Sequence, residues 1–79
     1  MGRYFFNSHH DFEIPDPVGR ELMSLDAACA QATVDARNAA ALEVKDLGTL
    51  SLSHRIEITD GSGEILGTVR FADAVEVRS

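Results

Sequence analysis

Two stretches of the chain alternate apolar and polar positions with a period of two. From Arg3 to Ser8, Tyr4 and Phe6 fall on one side of an extended backbone and Arg3, Phe5 and Asn7 on the other, the pattern of a β-strand. From His54 to Thr59 the alternation is stricter, with His54, Ile56 and Ile58 against Arg55, Glu57 and Thr59. Asp60-Gly61-Ser62-Gly63 then reads as a tight turn. Glu64 to Phe71 returns as a second strand, with Ile65, Gly67, Val69 and Phe71 on one face and Leu66, Thr68 and Arg70 on the other. The first strand of this hairpin carries more charge and is expected at a sheet edge. The second is more apolar and is expected at the centre.

Between these regions the period changes to that of a helix. From Leu25 to about Lys45 there is neither Gly nor Pro, and Ala, the best helix former, dominates. Steps of 100° place Leu25, Ala28, Cys29, Ala32, Ala36, Ala39 and Ala40 on one stripe, with Gln31, Asp35, Arg37 and Asn38 outside it. Ser24 is the expected N-cap, Asp26 suits the positive end of the helix dipole, and Gly48 ends the helix after Lys45. A stripe of such small residues lets the helix sit close to a sheet whose bulky residues fill the space between. The segment from Asp11 to Met23, broken by Pro15 and Pro17, reads as an ordered loop held by Phe12, Ile14, Val18 and Leu22, with at most a short return strand at Phe12 and Ile14. The tail from Ala72 to Arg78 is expected to dock as a short strand or turn. The expected fold is α+β, a small antiparallel or mixed sheet in β-α-β-β order with one helix packed across one face.

At 79 residues the chain reads as a single domain over 1–79, small enough that stability needs close packing or a partner subunit. Cys29 is its only cysteine, so no internal disulfide and no cysteine-rich zinc site can form, and a lone thiol suits a reducing cytoplasm. The net charge is −6, and the cations Arg3, Arg20, Arg37, Lys45, Arg55, Arg70 and Arg78 are scattered. Nucleic acid and anionic membranes are therefore not expected partners. No apolar run suits a membrane span, a secretory signal or an N-terminal lipid signal, and the expected location is cytoplasmic.

The motifs Arg3-Tyr4-Phe5-Phe6, Asp16…Gly19-x-Glu21-Leu22, Ile56-Glu57-Ile58-x-Asp60…Gly63 and Val69-x-Phe71-x-Asp73-Ala74-Val75-Glu76 flank and follow the Ala-rich helix. Together they resemble a family of short bacterial proteins known only as a domain of unknown function. The resemblance covers essentially the whole chain and is most specific at its two ends. It departs at Asn7, where the family often has His, and at Ser24, where it often has an acidic N-cap. It implies a cytoplasmic, stand-alone small protein, and it carries over no activity, ligand or site residue.

Few residues look equipped for chemistry. His9-His10-Asp11, with Glu13 and Asp16 nearby, is the one cluster of metal-ligand type, but adjacent histidines in an extended chain point to opposite sides. A solvated turn is expected there, with no metal and no other cofactor, and His54 reads as a strand-end histidine. Cys29 lies on the apolar stripe without a base nearby in sequence, and the loop carboxylates form no selected pair. The chain is thus expected not to be an enzyme. The open sheet face, with Phe5 and Leu66 among Arg3, Arg70 and other polar residues, has the composition of an interface. We therefore expect a non-catalytic accessory or interaction module working as a homo-oligomer, most simply a homodimer joined through Phe5, Leu66, Arg3 and Arg70. An unidentified protein partner is a further expectation, with Asp73 and Glu76 as tail residues suited to such a contact. The alternative is a small-ligand binder whose pocket forms between subunits.

Overall fold

A computed structural model describes residues 2–78. It has an antiparallel five-stranded sheet, one long helix and one short one, an α+β fold as expected. The strands are β1 (Gly2–His9), β2 (Glu13–Ile14), β3 (Arg20–Leu22), β4 (Arg55–Thr59) and β5 (Ile65–Arg70). The helices are α1 (Leu25–Leu47) and α2 (Phe71–Ala74). The sheet runs β2-β1-β4-β5, and β3 pairs with the other end of β1.

The helix forms where capping and composition place it. The Ser24 side chain accepts the Ala27 N–H, Asp26 sits in the first turn, and Lys45 sits in the last. Gly48 closes the helix in the left-handed region at φ 70°, its N–H donating to the Val44 carbonyl at 2.9 Å. Ala28, Ala32, Ala36 and Ala40 are all buried against the sheet. Their methyl groups allow a close approach, and Phe6, Ile56, Ile58, Val69 and Phe71 fill the interlayer space. Ile58 and Phe71 are the largest fully buried side chains, each contributing about 1.5–3 kcal/mol by leaving water.

The order of strands corrects one expectation. β4 lies at the centre, between β1 and β5, and β5 is the edge. The charges of β4 do not mark an edge, because Arg55 and Glu57 point away from the helix and pair with each other at 3.5 Å. A second correction follows from a bulge. Ile58 pairs with Gly67 but Thr59 pairs with Ile65, so Leu66 is an extra residue in β5. The alternation therefore slips at this point. Ile65, expected in the core, stands on the open face and is 55% exposed.

The segment between β1 and α1 is more regular than expected, since β2 and β3 both pair with β1. It is not held by its apolar side chains: Phe12, Ile14 and Val18 are exposed, and only Leu22 packs on the core. Asp16 holds it instead. Its carboxylate accepts the N–H groups of Phe6, Val18 and Gly19, each at 3.1 Å, while its own N–H donates to Asn7 Oδ1 at 2.9 Å. The tail begins as α2 rather than as a strand. The Phe71 N–H donates to the His54 carbonyl at 2.8 Å, and Arg37 Nε of α1 donates to the Ala74 carbonyl at 2.7 Å.

Candidate functional site

Strand alternation sends neighbouring side chains of β1 to opposite sides, and this decides where each candidate residue goes. On the open face, Phe5, Thr59 and Ile65 form one cross-strand row, and Asn7, Glu57 and Thr68 form the next. Asn7 Nδ2 donates to Thr59 Oγ1 at 3.1 Å. His9 also faces this side: its Nε2 lies 2.6 Å from Glu57 Oε1, out of line for a hydrogen bond, and 3.9 Å from Glu13. A depression of about 380 Å³ sits over Phe5 and Ile65, rimmed by Glu13, Glu57 and Asp60. The Asp60 turn is braced internally. Ser62 donates to its carboxylate from Oγ at 2.7 Å and from N–H at 2.9 Å, which together with the Glu64 N–H holds that carboxyl below the usual aspartate range.

The four residues expected to form an interface do not meet as one patch. Arg3 lies at the start of β1, donating to the Val18 carbonyl at 2.9 Å and standing 3.5 Å from Glu21. Phe5 is half-buried, with the Gly19 backbone close over its ring. Leu66 is the half-buried extra residue of the bulge. Arg70 is at the far end of β5, opposite Arg55, and is drawn off to Asp73 at 3.1 Å. Ile65 was not among the expected interface residues, yet it is the exposed aliphatic side chain next to this row. Only the bulge, invisible in the alternation, puts it there. In the tail, Asp73 pairs with Arg70, and Glu76 is 3.1 Å from Arg78.

On the helix side the structure assembles a cluster that the sequence does not announce. His10 leaves the end of β1 toward the helix layer, opposite to His9, and meets His54 just before β4. Their Nδ1 atoms are 2.9 Å apart, the ring centroids 4.5 Å apart, and the ring planes near perpendicular at 88°. Phe71 presents its ring edge-on to both, at 5.8 Å and 5.6 Å. Burial and the neighbouring His54 hold the His10 imidazole below the usual histidine range, favouring its neutral form. Asp11 Oδ1 lies 4.0 Å from His54 Nε2. From α1, Glu43 accepts the Ser51 Oγ–H at 2.7 Å, the Ser51 N–H at 2.8 Å and the Thr49 hydroxyl at 3.1 Å, bonds that keep its carboxyl below the usual glutamate range.

His10 also separates two hollows. One, of about 570 Å³, runs between Ala39 of α1 and the Pro15–Val18 loop, floored by Phe6, Ser8, Ile56 and Phe71. Arg20 closes its far end, 5.0 Å over the Phe6 ring and 3.1 Å from Asp35. The other, of about 400 Å³, lies among Phe12, Glu43, Leu47, Ser51 and His54. The parity of the strands was the available signal for this cluster. His10 shares its side with Tyr4, Phe6 and Ser8, and His54 shares its side with Ile56 and Ile58, so pairing β1 with β4 brings the two rings together.

Cys29 is half-buried on the inner side of α1, facing the bare Gly67 backbone. Among the described residues, no three His, Cys, Asp or Glu side chains converge in metal-binding fashion. No helix among them is long and apolar enough to cross a membrane. No curated protein and no solved structure matches the chain. A family model described as a domain of unknown function, DUF6894, matches residues 3–72, which span β1 to the start of α2, and the chain belongs to that family.

Proposed function

We propose that this protein is a non-catalytic accessory module of the cytoplasm that works as a homodimer joined along β5. The open edge of that strand carries the reading. No described element pairs with the outer side of β5, so its outward N–H and C=O groups have no ladder partner. Beside that edge stands Ile65, 55% exposed, with Thr59 and Phe5 continuing the row inward. A two-fold axis perpendicular to β5 would pair two such edges antiparallel, continue the sheet across both chains and set the partner's side chains beside Ile65. The packing of Cys29 against the helix–sheet layer supports a structural rather than a nucleophilic role for the one thiol.

Light scattering after gel filtration tests this directly. The expected mass is twice the 8.6 kDa of one chain, and Ile65→Glu should return it to that of the single chain with the helical circular dichroism unchanged. A mass that stays at one chain at high concentration overturns the reading.

A second reading, small-ligand binding, is favoured by the groove of about 570 Å³ beside α1, a volume typical of small-molecule sites. One chain walls it, so binding would need no second subunit. Native mass spectrometry of unreconstituted protein should then show added mass per chain.

A further inference from the structure

We propose that His10 and His54 together form a binding site for a divalent late transition metal of the Cu²⁺ or Ni²⁺ class. The two imidazoles come from segments 44 residues apart in sequence, yet their Nδ1 atoms stand 2.9 Å from each other. They share a hydrogen bond, with the ring centroids 4.5 Å apart and the planes near perpendicular. A metal ion would displace the shared proton and leave two imidazole nitrogens as ligands.

The spacing selects the ion. Two nitrogens at the usual metal–imidazole distance of about 2.0–2.1 Å and 2.9 Å from each other subtend close to 90° at the metal. A tetrahedral ion would spread them to about 3.3 Å. Right-angled nitrogen ligands belong to tetragonal Cu²⁺ or Ni²⁺ geometry, and Cu²⁺ heads the affinity order of the divalent series.

The surroundings prepare the two rings as ligands. Asp11 stands 4.0 Å from His54 Nε2 and places negative charge beside the pair. Glu43, on the wall supplied by α1, adds negative charge, and the adjoining hollow of about 400 Å³ has room for water on the remaining coordination positions. His9 takes no part, because it points to the opposite face of the sheet beside Glu57.

Titration of the tag-free full chain with Cu²⁺ alone, followed by calorimetry and electron paramagnetic resonance, tests the site. One Cu²⁺ per chain is expected, with hyperfine coupling to two imidazole nitrogens. That binding should be lost in His10→Ala and in His54→Ala and retained in His9→Ala. Should either alanine variant fail to fold, the wild-type protein still decides. Substoichiometric Cu²⁺ should broaden the ring resonances of His10 and His54 before those of His9. Binding that persists without His54, broadening centred on His9, or no binding at all would each overturn the proposal, the last leaving the two rings as a proton-sharing contact.

Discussion

The carboxylate of Asp16 accepts the backbone N–H of Phe6 at 3.1 Å, so a loop residue completes the edge of β1 where neither β2 nor β3 reaches. The same carboxylate accepts the N–H groups of Val18 and Gly19. Burial alone would raise its pKa, but these three donors and nearby Arg20 outweigh it and hold the group below the usual aspartate range. A depressed carboxylate contributes stability that is fully present above the unfolded pKa and is lost as the pH falls through the folded one. Asp16→Ala should cost about 1–2 kcal/mol in denaturant unfolding at pH 7, the lower part of the range for charged hydrogen bonds because the group is partly solvated. The difference from wild type should shrink below the ordinary aspartate range. A difference that does not change with pH would mean that the carboxylate is not the source of the effect.

How much of this was legible in the sequence differs from element to element, for physical reasons. The helix was readable at both ends because Ser24 and Gly48 are local signals that act within one turn. The inward parity of Tyr4, Phe6, Ile56, Ile58 and Val69 was readable because alternation is a property of one strand. Properties of pairs of strands were not. Nothing local to β5 says that Leu66 is an extra residue, and that one insertion moves Ile65 to the open face. The charges of β4 suggested an edge because the contact of Glu57 with His9 exists only once β1 and β4 are in register. The His10–His54 contact depends on the same register. β3 was missed because three residues, Arg20 to Leu22, are too few to show a period.

Gly19 and Gly48 have almost the same positive φ, 74° and 70°, but different surroundings. A Cβ at Gly19 would lie 3.0 Å from both Arg3 Cγ and Phe5 Cε1, whereas a Cβ at Gly48 would meet nothing within 4 Å. Both alanine variants incur the left-handed backbone cost, about 1 kcal/mol. Gly19→Ala should add the displacement of Phe5 and Arg3 and reach about 2–3 kcal/mol in total. Equal losses of melting temperature in the two variants would show that the contact over Phe5 is not tight.

Ala32 is fully buried in the middle of the alanine stripe. Ala32→Leu would place a branched side chain where α1 approaches Ile58 and its neighbours, pushing the helix off the sheet. Overpacking of this kind costs about 1–3 kcal/mol. The exposed neighbour Ala30 provides the control, since leucine there alters no interlayer contact and should leave the unfolding midpoint nearly unchanged. A neutral Ala32→Leu would contradict the close helix–sheet approach.

Arg37 makes a long-range tie that stabilises the end of the fold. Its Nε donates to the Ala74 carbonyl at 2.7 Å, anchoring α2 to the middle of α1. That short helix has no side-chain cap, and a single turn has too few internal bonds to stand alone. Its hold on the fold therefore comes from the burial of Phe71 and Ala74, from the Phe71 N–H bond to the His54 carbonyl and from this side-chain bond. Arg37→Ala should cost about 1–2 kcal/mol, the usual range for a charged donor to a partly buried carbonyl. Arg37→Lys should restore little, because an ammonium lacks the planar Nε–H that reaches the carbonyl. Amide exchange supplies the specific readout. The Val75 N–H, which donates to the Phe71 carbonyl at 3.1 Å, should lose protection in Arg37→Ala by more than the amides of β4 do. If protection falls equally in both places, Arg37 stabilises the whole fold rather than the docking of α2.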